Sequence, residues 1–515
     1  MELFSIIYEV YTMFIQPIMY HEVLVNTALE HTEQKGDVTI LNVVVPHHQI
    51  KALSENRLSS DQKVIFQLEK LERKLVNHDE ALSKEDIFQA FGACLNEGLD
   101  QQIKTHLKGL LEEIVNGSYE ISDIREYLGW YCRLTLTCLK GESTLLDEKV
   151  QGLYKKVINE KYDITLRESE GHSPSYFLTD EITKRPFAIL KQSHPEITSS
   201  FTKHLPKMPL SATVWEHELI GLEQDQLFGF NRVPTTLTVR FKNGKNEEVN
   251  GVIQEFVSDS KSGWDFYNPS GADLLKAIPK SHVQVLTLSG LFKGISAGHL
   301  ANYILQLDGN KEKVTTLFEI DLEEMLLPYN KLSDVDDLVV SDQLSTKKEE
   351  AIKSLILCRM WILGLPQNGM PFDRAALMAM SHPSMLSLLQ SYHKQASKYS
   401  RMDEGSWQAQ YERVRMMQEI CLSELEKATI TLTPRDLYFK IFGGEHLWKI
   451  AQEKGYPPLI AFNNLVSDPY QHILKDFSDP TSIPECKRLK EPKDDKPESK
   501  DIMNFFRKME GLEQK

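Results

Sequence analysis

Little in this sequence would staple the chain covalently or fix it to a surface. Cysteine is scarce, six in 515 residues. Cys94, Cys132, Cys138, Cys358, Cys421 and Cys486 stand apart, with no C-x-x-C pair and no zinc-type spacing. That excludes a disulfide framework and points to reduced, mostly buried thiols in a cytosolic-type compartment. Positive charge is in deficit, with a formal net charge of −15, which argues against general adhesion to nucleic acid or to an anionic membrane. Long unbroken apolar runs are missing too. The apolar opening Leu3 to Tyr20 follows Glu2 rather than a basic residue and is interrupted by Glu9 and Pro17. It reads as a packed amphipathic helix, not as a secretory signal or a membrane span. No internal repeat is visible. The expectation is a cytoplasmic protein with no nucleic-acid partner and no transmembrane segment; export as an effector stays open.

What is present suffices for a large core. The hydrophobic share of 41% and charged share of 26% are those of a soluble globular protein, and the length suits two or three domains or one large domain with an extra helical region. Residues 1–160 read as a mostly helical region. Ser60–Asn77, Ser83–Leu95, Asp100–Val115 and Ser122–Leu139 carry apolar residues at three- and four-residue spacing, several behind Ser or Asp caps. Asp37–Val45 is the exception, a β-branched run closed by Pro46 that suits one strand. His47-His48 has no partner cluster and reads as surface.

Between residues 161 and 265 the pattern changes to short strands and turns, with one helix near Thr213–Gln226. Thr235–Lys242 and Val249–Val257, separated by Asn243-Gly244-Lys245-Asn246, read as a hairpin with a turn-forming Asn-Gly. Helical patterning returns over 266–476. Residues 477–515 are rich in Lys, Glu, Asp and Pro and read as a disordered tail, ending in a short amphipathic helix at Asp501–Leu512 that is a possible docking element for a partner. A small β-rich part with one helix followed by a larger helical part predicts an α+β, bilobal kinase-like fold.

The residues that carry chemistry fall in a consistent order. Gly171-His172-Ser173-Pro174-Ser175-Tyr176-Phe177-Leu178 reads as a loop entering a strand, and Phe187-Ala188-Ile189-Leu190-Lys191 as a second strand ending on a lysine. Ser173 and Ser175 on a loop that approaches closely, with Lys191 as a fixed cation, form a phosphate clamp. The helix after Lys191 carries Glu216 and Glu218, either of which can pair with the lysine. Gln254-Glu255-Phe256-Val257 ends a strand where the two parts meet, as a hinge does. Asn302 is placed to ligate magnesium, and Asp321, after the strand Thr315–Ile320, is a hard oxygen ligand for the same ion. Asp321 can equally cap the helical Leu322-Glu323-Glu324-Met325.

Taken together these stretches resemble the phosphatidylinositol 3- and 4-kinase-like superfamily, and within it the type II phosphatidylinositol 4-kinases. The Ser-rich loop, the Ala188-Ile189-Leu190-Lys191 strand, Glu218 fifteen residues before Val233-Pro234, Asp225-Gln226, Gln254-Glu255-Phe256-Val257 with Trp264, and Ile320-Asp321 all match that family's motifs. The resemblance covers roughly residues 165–330. It implies ATP bound by Ser173, Ser175, Lys191, Glu218 and the backbone around Gln254, Phe256 and Val257, with Mg2+ or Mn2+ held by Asn302 and Asp321. Two departures stand out. The family's catalytic-loop Asp is Ala297 here, and His194–Leu210 lacks the cysteine-rich palmitoylation stretch. His299 occupies the place of the histidine in the 3-kinase D-R-H motif and offers a surviving base, so the resemblance implies His299 and Lys191 as the catalytic residues.

Three functional expectations follow. The chain is a phosphotransferase on a phosphoinositide or protein hydroxyl, a nucleotide-binding pseudokinase acting as scaffold or activator, or a kinase fold repurposed for nucleotidyl or glutamyl transfer.

Overall fold

The computed structural model describes residues 38–44, 62–76, 81–96, 99–117, 119–140, 144–167, 175–192, 214–263, 274–294, 302–310, 312–320, 322, 361–397, 400, 402, 404–442, 445 and 448–449. Within them the chain is a mixture of helices and antiparallel sheet, with helix predominating.

The helices α1 (Gln62–Val76), α2 (Lys84–Leu95), α3 (Gln101–Asn116) and α4 (Ile121–Lys140) form where the three- and four-residue spacing predicts them. Local chemistry sets their starts. Ser83 and Asp86 close a reciprocal capping box on α2, and Asp100 accepts the Gln102 N–H at the start of α3. A further helix, α5 (Thr144–Asn159), leads into the sheet.

The main sheet has six strands: β1 (Thr39–Val44), β2 (Tyr162–Arg167), β3 (Ser175–Asp180), β4 (Pro186–Gln192), β5 (Thr236–Lys242) and β6 (Glu248–Glu255). Their spatial order is β1-β5-β6-β4-β3-β2, antiparallel throughout. The β5–β6 hairpin closes at Asn243–Asn246 as expected. The left-handed residue is Asn246 (φ 61°) rather than the glycine, and the Asn243 side chain accepts the N–H groups of Lys245 and Glu247. Strand β1 pairs with β5 from nearly two hundred residues upstream, because Val38, Ile40 and Val43 bury their side chains in the sheet core.

Alternation divides the sheet into two faces. Tyr176, Leu178, Ala188, Leu190, Leu237, Val239, Phe241 and Ile253 join Val150, Leu153 and Val157 of α5 in one apolar cluster. The other face carries Ser175, Lys191 and Gln254 and meets α6 (Val214–Phe228), which packs on β5 and β6.

After β6 the chain crosses into a second sheet of three short strands, β7 (Ser260–Ser262), β8 (Tyr303–Leu307) and β9 (Val314–Glu319). Helix α7 (Lys280–Lys293) separates β7 from β8 and ends at Gly294 in the left-handed conformation (φ 67°). A Cβ at Gly294 would lie 2.2 Å from the Arg413 guanidinium, so close approach as well as φ requires glycine there. Two short 3-10 turns (Trp361–Gly364 and Pro366–Gly369) and helices α8 (Arg374–Met380), α9 (Met385–Ala396), α10 (Glu404–Leu425) and α11 (Pro434–Phe442) follow.

One large apolar cluster runs through α1–α4, α6–α11, β8 and β9. Helix α4 lies at its centre, against α1, α6, α7 and α8. The helical region before residue 160 therefore shares its core with the helices after residue 266. The opening apolar run, His47-His48 and the charged tail from 477 lie outside the described residues. Among the described residues no helix is long and apolar enough to cross a membrane.

Candidate functional site

Lys191 sits in a row that crosses the whole sheet. Its register partners are Ser175 on β3 and Val252 on β6, and the row continues to Arg167 on β2 and through Thr238 to Val44 on β1. Because Ala188 and Leu190 turn to the apolar cluster, Lys191 must emerge on the opposite face. There its Nζ lies 3.3 Å from Glu218 Oε1, with the lysine side chain 18% exposed and the glutamate 1%. The cation is thus anchored at its base by a buried carboxylate and accessible along one side. Ser175 is buried directly across from it on the neighbouring strand.

Helix α6 is buried on every side from Glu216 to Phe228, polar residues included. Four of those polar side chains are matched across elements. Glu218 meets Lys191, Glu223 accepts the Tyr392 hydroxyl at 2.6 Å, Gln224 exchanges bonds of 3.0 and 2.7 Å with Gln410, and Asp225 meets Lys293 at 3.1 Å. A helix with polar residues around its whole circumference reads as solvated in isolation, yet here Glu218, Glu223, Gln224 and Asp225 have each found a partner from another element. Glu216, the other candidate partner of Lys191, is buried on the same helix.

At the far end of β6 the chain passes from the first sheet to the second. Gln254 is buried, and its side-chain amide donates to Thr236 Oγ1 at 3.2 Å, so it ties β6 to β5. The Phe256 N–H donates to the Phe187 carbonyl at 2.9 Å, and its ring meets Phe177 edge-on at 5.9 Å. The Val257 carbonyl accepts the Ser260 hydroxyl at 2.6 Å. Phe177, Ile189, Phe256 and Val257 are all partly exposed beside this crossing, which supplies an apolar surface with backbone polar groups at its rim.

Asn302 is buried at the start of β8, and its carbonyl accepts the N–H of Ile320, the residue before Asp321, at 2.9 Å. The hairpin thus closes with Asn302 beside the end of β9. Ser173, Ala297, His299 and Asp321 lie outside the described residues. No group of three or more metal-ligating side chains occurs among the described residues, and the two expected magnesium ligands are one described residue and one outside that set.

The network around Lys293 was not legible as a site. Lys293 Nζ is fully buried, 3.1 Å from Asp225 Oδ1, 2.8 Å from Glu319 Oε2 and 2.6 Å from Ser289 Oγ. Burial works against the ammonium, but the Asp225 and Glu319 carboxylates outweigh it and hold its pKa above the ordinary lysine value. Burial pushes the Glu319 carboxyl up, only partly offset by Lys293. A lysine in the last turn of a helix is ordinarily solvated, so the sequence signal was weak; the apolar character of α7 around most of its circumference was the available clue.

No family model matches this chain, and no curated protein sequence matches it significantly.

Proposed function

We propose that this chain has a bilobal kinase-like fold that binds ATP with magnesium or manganese, and that it is a phosphotransferase acting on a phosphoinositide or protein hydroxyl. The observation that carries the reading is the Lys191–Glu218 pair: a strand lysine held at 3.3 Å by a glutamate from the helix that follows it, with Ser175 across the ladder. A cation so placed neutralises phosphate charge, and the helix glutamate keeps it from swinging away. The order of the elements supports the same reading. Three antiparallel strands, a helix, a hairpin, a crossing, a helix and a second hairpin bearing Asn302 and leading to Asp321 would set phosphate and metal groups on facing parts. Adenine would lie on the apolar surface of Phe177, Ile189 and Phe256, beside the backbone at Val257.

Ala297 favours a second reading, a pseudokinase that binds nucleotide and acts as a scaffold or activator. A kinase fold repurposed for nucleotidyl or glutamyl transfer would retain the same phosphate and metal groups without that base.

The test is magnesium–ATP binding to the full chain, followed by radiolabel transfer to a phosphoinositide and protein panel. Lys191→Met should weaken magnesium–ATP binding at least about 10-fold through loss of a charge-assisted phosphate contact. His299→Ala should abolish labelling and leave binding largely intact, because a base acts on the acceptor and not on ATP. Binding without labelling by the wild type would leave the pseudokinase or another transfer chemistry, and no binding at millimolar ATP with either metal would overturn the nucleotide reading.

A further inference from the structure

Asp225, Glu319, Ser289 and Lys293 form a joint between three elements. An ammonium has three donors, and Lys293 has three acceptors around it, one from α6, one from β9 and one from the preceding turn of α7. Asp225 lies seven residues after Glu218 on α6, about two turns on, so both carboxylates project from the same side of the helix. Glu319 ends β9, one residue before Ile320, whose N–H is bonded to the Asn302 carbonyl. Ser289 and Lys293 are one turn apart at the end of α7.

The joint is tied to further elements through Asp225 and Arg232. The second oxygen of Asp225 accepts the N–H groups of Arg232 and Val233 at 2.7 and 3.0 Å, where the chain enters β5. The Arg232 carbonyl in turn accepts the Glu319 N–H at 2.6 Å. The Arg232 guanidinium pairs with Glu126 of α4, whose other oxygen lies 3.2 Å from His282 of α7. The joint therefore reaches from the helix that holds Lys191 in place to the strand that leads to Asp321, and through Arg232 to the N-terminal helices.

We propose that Lys293 is a positioning residue: its buried ammonium sets the separation between α6, which carries Glu218, and β9, which leads to Asp321. In doing so it sets the distance between the phosphate cation and the magnesium ligands. The catalytic meaning of this joint rests on the kinase-like reading, whereas the joint itself rests on the distances alone. Without the ammonium, two buried carboxylates from different elements face each other, and the strain falls on the register of α6 against β9.

The experiment compares wild type, Lys293→Met and Asp225→Asn in the full chain, by hydrogen exchange and by binding of ATP with and without magnesium. In Lys293→Met, peptides from 214–228 and 314–320 should lose protection together, while those from 62–95 keep theirs. Magnesium–ATP affinity should fall about 10-fold, within the range seen when a coupling residue distant from the ligand is changed. Binding of ATP without magnesium should change less than about 2-fold, since the joint sets a distance only the metal bridges. Unchanged exchange in both segments, or an equal fall with and without magnesium, would overturn the proposal. If wild-type protein binds no nucleotide, the kinase reading falls, and paired loosening of the two segments alone decides for or against the joint. Should Lys293→Met fail to fold, Asp225→Asn carries the test with the same paired loosening expected.

Discussion

At the scale of single residues, close approach and charge placement dominate. Gly251 lies in β6 next to Gln192 of β4, and a Cβ there would stand 2.1 Å from the Lys191 carbonyl oxygen. That contact is with backbone, which cannot rotate away. Gly251→Ala should therefore force β6 from β4, costing at least about 1–3 kcal/mol as overpacking does. On the proposed nucleotide-binding function it should also weaken magnesium–ATP binding, because the displaced peptide belongs to Lys191 itself. Urea unfolding would check the first claim, and an unchanged midpoint with an unchanged slope would refute it. Glu218→Gln is the complementary probe. It keeps the shape and removes the charge that fixes Lys191, so on the proposed function ATP affinity should fall while the fold stays intact.

Among the elements, α6 decides the most. The helix is held at Glu218, Glu223, Gln224 and Asp225 by partners from β4, α9, α10 and α7. A helix so placed has no solvated side on which to swing, in contrast to kinase helices whose position is the regulated variable. Tyr392→Phe removes the 2.6 Å bond to Glu223 without changing the packing volume. The expected loss is about 1.5–3 kcal/mol, the worth of a hydrogen bond to a charged group. Exchange in 214–228 should rise in step with the loss of global stability and not beyond it, because the other anchors remain. Faster local exchange at unchanged global stability would mean that α6 opens by itself.

Much of this element scale was legible. The spacing of apolar residues placed α1 to α4 and the strands from β3 to β6 close to their observed bounds; the residues offered both Glu216 and Glu218 as partners of Lys191, the resemblance favoured Glu218, and Glu218 is the one that meets it. The hairpin at Asn243 was legible as a turn, although its left-handed residue is Asn246. The sheet membership of β1 was not, since nothing local to residues 39–44 names β5 as its partner.

The whole molecule carries a pH dependence through three histidines, His382 buried and His106 and His393 half-buried. Burial lowers His106 to about 4 and His393 to about 4; it lowers His382 to about 3, with His106 nearby as a further cause. Each has a folded pKa below its unfolded value near 6.5, so the folded state favours the neutral ring. Stability is full above about pH 6.5 and is lost as pH falls toward about 4. The slope approaches about 1.4 kcal/mol per unit for each ring, about 4 for the three together. Glu319, pushed up by burial, works in the opposite direction and should blunt the fall. Denaturant midpoints at pH 7, 6 and 5 would test this, with a flat profile counting against it. His106 of α3 bonds Tyr131 of α4 and Ser381, next to His382. Acid should therefore first loosen the N-terminal helices from α8 and α9.

The sequence by itself determined where the four helices between residues 60 and 140 and the strands from β3 to β6 lie, because side-chain periodicity and capping act within a few residues. It also marked Lys191, Glu218 and Asn302 as residues worth placing. Only the tertiary structure decided that Glu218 meets Lys191 across 27 residues, and that Lys293 meets Asp225 across 68 and Glu319 across 26. The physical reason is that a buried charge must find its counter-charge wherever packing brings one. Packing of this core joins elements from residue 64 to residue 448, at separations on which local patterning has no bearing.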